Sequence, residues 1–97
     1  MAYKILYTDE ALVELEILLD YIRADSPRSA GRFGTALLNH IELLREFPRI
    51  GLPVSGRSTV RRIFHSPVRV YYRLHEDRNV VEVLHFWHAS RKGPKGV

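Results

Sequence analysis

No cysteine occurs among the 97 residues. That excludes disulfides, thiolate-ligated zinc and thiol nucleophiles, and it leaves stability to packing alone. Any catalysis would fall to His, Arg, Lys, Tyr, Ser or carboxylates. Long hydrophobic runs are missing too: no window approaches the roughly 18 to 20 apolar residues of a membrane span, so no membrane partner is expected. The stretch Met1 to Tyr7 is short and broken by Lys4, unlike a cleavable leader, which makes the cytoplasm the expected location. The sequence also lacks HExxH, the phosphate-binding and dinucleotide-binding glycine patterns and the nucleophile elbow. His85 and His88 lie three apart on a strand-like run and so point to opposite faces. No metal and no cofactor is therefore expected.

What is present is charge of one sign, unevenly placed. The formal net charge is +4, but residues 57–97 carry nine cations against three carboxylates, leaving the first 56 residues net acidic. A basic half of this kind fits a polyanion or an acidic protein. Length limits the chain to one domain with one core, residues 1–97.

Hydrophobic periodicity gives the order strand, helix, helix, strand, strand, strand. Tyr3–Tyr7 reads as a strand, and Thr8 or Asp9 can cap the helix that follows. Within that helix Ala11, Leu12, Leu15, Leu18, Leu19 and Ile22 form a core-facing stripe, whereas Val13, Ile17 and Tyr21 form a second stripe on another side. Either the neighbouring helix or a partner chain must cover the second stripe. After a turn at Arg23–Asp25, Ser26-Pro27 starts a second helix that Pro48 ends, with Ala30, Phe33, Leu37, Ile41 and Leu44 facing inward. Gly31 and Gly34 each cost about 1 kcal/mol there, which points to another backbone passing close by. Residues 48–56, punctuated by Pro and Gly, read as a loop. Strands near 60–65, 68–75 and 80–88 are joined by short links and should pair antiparallel. The expected fold is α+β: an antiparallel helical hairpin on one face of a mainly antiparallel four-stranded sheet, βααβββ.

The middle strand alternates cleanly, with Val68, Val70, Tyr72 and Leu74 on one face and Arg69, Tyr71, Arg73 and His75 on the other. One of Arg61 and Arg62 joins the second face. Guanidinium groups there can hold phosphate or carboxylate, and interleaved rings can stack on unpaired bases. The alternative is an ordinary solvated strand face. His88 raises a parallel question, because an imidazole can both take and give a proton. In RNA cleavage such a base removes the 2′-OH proton while cations such as Arg61 or Arg62, Arg73 and Arg91 stabilise the phosphate charge, with no metal required.

Taken together, Ser26-Pro27 with Ala30 and Phe33, Phe47-Pro48 with Gly51, Val60-Arg61-Arg62, Arg69-Val70-Tyr71-Tyr72-Arg73 and His88-Ala89-Ser90-Arg91 resemble the RelE/ParE superfamily of type II toxin-antitoxin toxins over nearly the whole chain. The resemblance implies a cytoplasmic toxin of a plasmid-stabilisation type module, bound in a hetero-oligomer by a cognate antitoxin, with the Val13, Ile17 and Tyr21 stripe as one antitoxin-binding candidate. Members similar to RelE are ribosome-dependent messenger RNA endonucleases; here His88, Arg61, Arg73 and Arg91 would be the catalytic set, although no tyrosine follows His88. Members similar to ParE are not enzymes and poison DNA gyrase. The helical signature is closer to that branch, with Arg62, Arg69, Tyr71 and Lys92 as target-binding candidates. A third reading is a chain that has lost toxicity and keeps only its antitoxin.

Overall fold

Two hydroxyl caps set the helical half of the molecule. The Thr8 hydroxyl accepts the Ala11 N–H at 3.0 Å and starts α1 (Asp9–Asp25), while Ser26 Oγ accepts the Ser29 N–H at 3.2 Å and starts α2 (Pro27–Glu42). Ser26 also donates its own N–H to Ile22 at 3.0 Å, so one extended residue both closes α1 and opens α2. The turn expected at Arg23–Asp25 is thus the last turn of α1. In this computed structural model residues 2–90 are described. They also form β1 (Lys4–Tyr7), a 3₁₀ turn (Leu43–Arg45), β2 (Leu52–Val54), β3 (Arg57–His65), β4 (Val68–His75) and β5 (Val80–His88).

The strands make one sheet in the order β1-β5-β4-β3-β2. β3, β4 and β5 form the expected antiparallel meander, and β1 lies parallel to β5, so the sheet is mixed. A fifth strand was not anticipated: β2 pairs Leu52 with Arg62 and Pro53 with Arg61 inside the stretch expected to be loop. It escaped notice because three residues, one of them Pro53, carry no alternation; as an edge strand it tolerates that proline.

Both helices cover the same face of the sheet. The core joins Ala11 of α1 and Leu37 and Ile41 of α2 to Leu44, Ile63, Val68, Val70, Tyr72, Leu74, Val81, Val83 and Phe86. The inward positions of α2 are as expected, with Phe33 partly buried. The stripe on α1 is narrower than expected, since Leu12 is 47 % exposed. Neither helical glycine has another backbone against it, contrary to expectation: a Cβ on Gly34 would touch only the Leu19 side chain, at 3.4 Å, and one on Gly31 would meet nothing within 4 Å.

The segment before β2 is fastened by a buried phenol. Tyr72 is fully buried, donates its O–H to the Pro48 carbonyl at 2.6 Å and accepts the Gly51 N–H at 3.1 Å. A Cβ on Gly51 would lie 2.6 Å from that oxygen and 2.7 Å from the Arg62 carbonyl, so the backbone approach requires glycine. Burial raises the Tyr72 pKa, against the opposing effects of the Gly51 N–H and of Arg61. Across the same core edge, His40 of α2 and His65 of β3 bring their Nδ1 atoms to 2.9 Å, with the Phe33 ring edge-on to His65. Only one of the two nitrogens can carry the shared proton. Desolvation, and secondarily His40, lowers the His65 pKa below its ordinary 6.5.

Tyr72→Phe keeps the packing but removes both bonds, and it should cost about 1–3 kcal/mol in urea unfolding. The unfolded chain protonates His65 near pH 6.5 and the folded chain only at lower pH, so stability should fall as pH drops through about 6.5. His65→Gln should shrink the difference in Tm between pH 7.5 and 5.5, read by thermal unfolding.

Candidate functional site

The sheet face away from the helices carries the side chains that the alternation assigned to it. Cross-strand register sets Arg62 beside Tyr71 and His85, Phe64 beside Arg69 and Trp87, and Arg73 between Val60 and Glu82. Neighbouring strands lie about 4.8 Å apart, so Arg62 and Arg69 fall within one contact region near the β3 edge. Arg62 is exposed, and Arg69 and Arg73 are half-buried.

This face is not a bare row of charges. Tyr71 is only 3 % exposed, and Val60 is buried as well, though neither belongs to the core beneath the helices. The Tyr71 ring stands edge-on to Trp87 at 6.3 Å and to His85 at 6.5 Å, and those two rings are 5.1 Å apart. Tyr71 is therefore packed against Trp87 and His85 and is not free to stack on a ligand. At the far end His75 donates Nε2–H to Glu82 at 2.9 Å and accepts from Arg78 at 3.1 Å. That end is charge-compensated.

Arg61 and His88 lie elsewhere. Arg61 is opposite Tyr72, on the helix side, and its Nη1 donates to the carbonyls of Gly51 at 2.8 Å and Arg49 at 3.2 Å. His88 is opposite buried Val68 and so also belongs to the helix side, where its Nδ1 accepts the Ser90 N–H at 3.1 Å and lies 2.8 Å from Ser90 Oγ. Val68 and Arg73 are five residues apart on β4, about 17 Å at ~3.4 Å per residue. The proposed base and the proposed cation are thus on opposite faces and far apart. Arg91 and Lys92 lie outside the described residues.

One residue that the sequence reading passed over organises the β5 end of the site. β1 pairs only with Val80 to Val83, and beyond it β5 runs on to His88 with β4 on its other side. α1 takes over at that overhang. Thr8 donates its N–H to the Val83 carbonyl at 3.1 Å and its hydroxyl to the Leu84 carbonyl at 3.4 Å, and Glu14 accepts the Phe86 N–H at 3.2 Å. The same carboxylate accepts from the Trp87 indole and, at 3.1 Å, from His85 Nδ1, which must carry its proton there because a carboxylate only accepts. Glu10, Glu14 and His85 bring ligand atoms within 4.8 Å of one another, a geometry that the hydrogen bonds of Glu14 already account for. No sequence signal marks Glu14, because its partners lie more than 70 positions away.

Next to this network the second stripe of α1 is bare: Val13, Ile17 and Tyr21 are each more than half exposed. Ile17, Leu18 and Tyr21 form one wall of a cleft of about 320 Å³, and Phe86, Trp87 and His88 form the other, with Glu14 between them. Its lining is mainly apolar and aromatic. Among the described residues no helix is long and apolar enough to cross a membrane.

A helical hairpin on one face of a small mixed sheet, with cations on the other, is an arrangement this chain shares with known proteins. The chain is similar in structure to the chromosomal ParDE toxin-antitoxin system of P. aeruginosa, with a TM-score of 0.74 and 16 % identity over 90 % of this chain and 96 % of that one. It is also similar to the RelBE2 toxin-antitoxin complex of Mycobacterium tuberculosis, with a TM-score of 0.66 and 21 % identity over 91 % and 99 %. Putative toxin Y4kP of Sinorhizobium fredii is 30 % identical over 93 residues, 95 % of this chain and 94 % of that one. The family described as the ParE toxin of the type II toxin-antitoxin system, parDE, matches residues 5–93, and the chain belongs to it.

Glu14→Ala leaves the Phe86 N–H and the Trp87 indole without an acceptor and should destabilise the fold by about 1–3 kcal/mol. Trp87 is the only tryptophan, so its emission during denaturant unfolding reads the change directly.

Proposed function

We propose that this toxin arrests growth by binding DNA gyrase without catalysis, and that a cognate antitoxin neutralises it. The observation that carries the reading is the separation of His88 from the sheet arginines. Metal-free cleavage of RNA needs a base within about 3 Å of the 2′-OH while cations hold the same phosphate. His88 faces the helix side with its Nδ1 engaged by Ser90, whereas Arg62, Arg69 and Arg73 occupy the other face and Arg61 is spent on loop carbonyls. A face built in this way suits recognition, since Arg62 and Arg69 supply forked donors on one side of the sheet. Membership in the ParE family supports the same reading.

The antitoxin site is the bare side of α1. An amphipathic segment laid along Val13, Ile17 and Tyr21 would bury a stripe that water otherwise wets and could drop an apolar side chain into the cleft beside Phe86 and Trp87. The resulting complex is a toxin-antitoxin hetero-oligomer.

Ribosome-dependent messenger RNA cleavage is the second reading, favoured by the fold likeness to RelBE complexes and by the exposed Arg62 beside half-buried Arg69. The two separate cleanly. Purified protein at micromolar concentration should abolish supercoiling by gyrase and leave messenger RNA on translating ribosomes intact. The double variant His88→Ala, Arg73→Ala should remain as toxic as the wild type on expression; loss of growth arrest in that variant, with the fold retained by circular dichroism, would favour the nuclease.

A further inference from the structure

Two histidines meet at the β3 edge, and neither the antitoxin site nor the open face uses them. His40 lies in the last turn of α2 and His65 ends β3, 25 positions later, so nothing in the sequence marks them as a pair. The fold sets their Nδ1 atoms 2.9 Å apart, with the ring centroids at 5.1 Å. Both residues are half-buried, and the Phe33 ring standing edge-on to His65 at 5.5 Å limits how that imidazole can turn. One ring is carried by a helix and the other by the sheet, so their approach is set by the fold.

The pair has a route to solvent. β2 begins at Leu52 opposite Arg62, so residues 63–65 of β3 extend past it with β4 on one side and, among the described residues, no strand on the other. The gap is a groove of about 490 Å³, lined by exposed Ile50, Leu52 and Phe64 together with His40, Arg62 and Arg69.

We infer that His40 and His65 form a two-imidazole site for a divalent transition-metal ion of the copper(II) or nickel(II) class. A metal with nitrogen ligands at about 2.0–2.1 Å sees two donors 2.9 Å apart at close to a right angle. That is the cis angle of tetragonal copper(II) or nickel(II), whereas tetrahedral zinc would need the nitrogens about 3.3–3.4 Å apart. Without metal, one proton lies between the two nitrogens. On binding, the ring that carries it gives up its Nδ1 proton and takes one at Nε2, so both Nδ1 lone pairs meet the metal and no net proton is released. Three features suit the site. Burial, and secondarily His40, lowers the His65 pKa, which keeps that imidazole neutral at pH 7. The C-terminal end of α2 presents the negative pole of its dipole beside His40, which favours a cation. Arg62 and Arg69 oppose ions held by charge alone, which disfavours calcium and magnesium, whereas imidazole nitrogen suits copper and nickel. The ion would tie the end of α2 to the end of β3. This goes beyond the toxin reading and does not depend on it.

The test adds nickel(II) or copper(II) chloride to the chelator-treated full chain and reads affinity by calorimetry and Tm by thermal unfolding. Wild type, His40→Gln, His65→Gln and His88→Gln are compared, each with and without metal, and metal-free circular dichroism verifies each fold. The wild type should gain Tm with nickel(II) and not with magnesium(II). Either His40→Gln or His65→Gln should weaken binding by about 100-fold or more, beyond the 10–100-fold that loss of a merely supporting group costs. His88→Gln should bind as the wild type does. In the wild type itself, substoichiometric nickel(II) should broaden the imidazole resonances of His40 and His65 before those of His75, His85 and His88, a reading that needs no substitution. A wild type that binds neither ion overturns the inference. So does binding that survives in both variants, or broadening that begins at His85, as it would at the Glu10, Glu14 and His85 cluster.

Discussion

Three long strands flanked by two short ones set the main constraint on this molecule. β3, β4 and β5 have nine, eight and nine residues, whereas β1 has four and β2 has three. Each outer strand therefore stops before its neighbour does, and an unpaired strand edge is both a hydrogen-bonding debt and an invitation to aggregation. At the β5 overhang the chain answers with Thr8 and Glu14, which take up the Leu84 carbonyl and the Phe86 N–H. At the β3 overhang it leaves a groove and fixes the neighbouring loop with Tyr72 and Arg61. The two apolar surfaces of the protein arise at these two mismatches, which is why they lie at opposite edges of one sheet.

Packing on one face only has an electrostatic consequence. With both helices on the same side, Arg62, Arg69 and Arg73 lie on the uncovered face and need no buried counterion, a cheaper arrangement than desolvating guanidinium groups. Side-chain parity then divides the arginines. Arg62 falls on the open face, whereas Arg61, one residue earlier, falls on the helix side and becomes a strut for the 49–51 carbonyls. The same parity rule puts His88 on the side away from Arg73.

Much of this was legible in the sequence because it rests on local rules. Thr8 and Ser26-Pro27 marked the helix starts, alternation in β4 named the buried Val68, Val70, Tyr72 and Leu74, and the Val13, Ile17, Tyr21 stripe stood out as a second apolar side. What stayed hidden depends on contacts distant in sequence. Glu14 looked like a spacer between stripes because its partners are on the last strand, and Tyr71 looked like an exposed ring because the His85 and Trp87 rings that stand against it come from another strand. The choice between Arg61 and Arg62 could not be made without the register of β3 against β4. Leu12 looked buried because helical spacing gives a stripe and not its width.

The charge pattern on the open face supplies the last step. Near the β4–β5 turn the polar groups have partners: His75 with Glu82, Arg78 with His75, and Arg49 with Glu76. Toward the β3 edge, Arg62 and Arg69 line a groove with exposed Ile50, Leu52 and Phe64 and no carboxylate. Nothing about folding requires that asymmetry. A carboxylate placed opposite Arg62 would relieve repulsion between like charges, and a polar residue at Ile50 or Phe64 would remove apolar area from water. Stability alone would favour both changes. Wetted hydrophobic side chains on a firmly held backbone make physical sense when a partner supplies the apolar cover. The protein's own edge geometry fixes where that partner must sit.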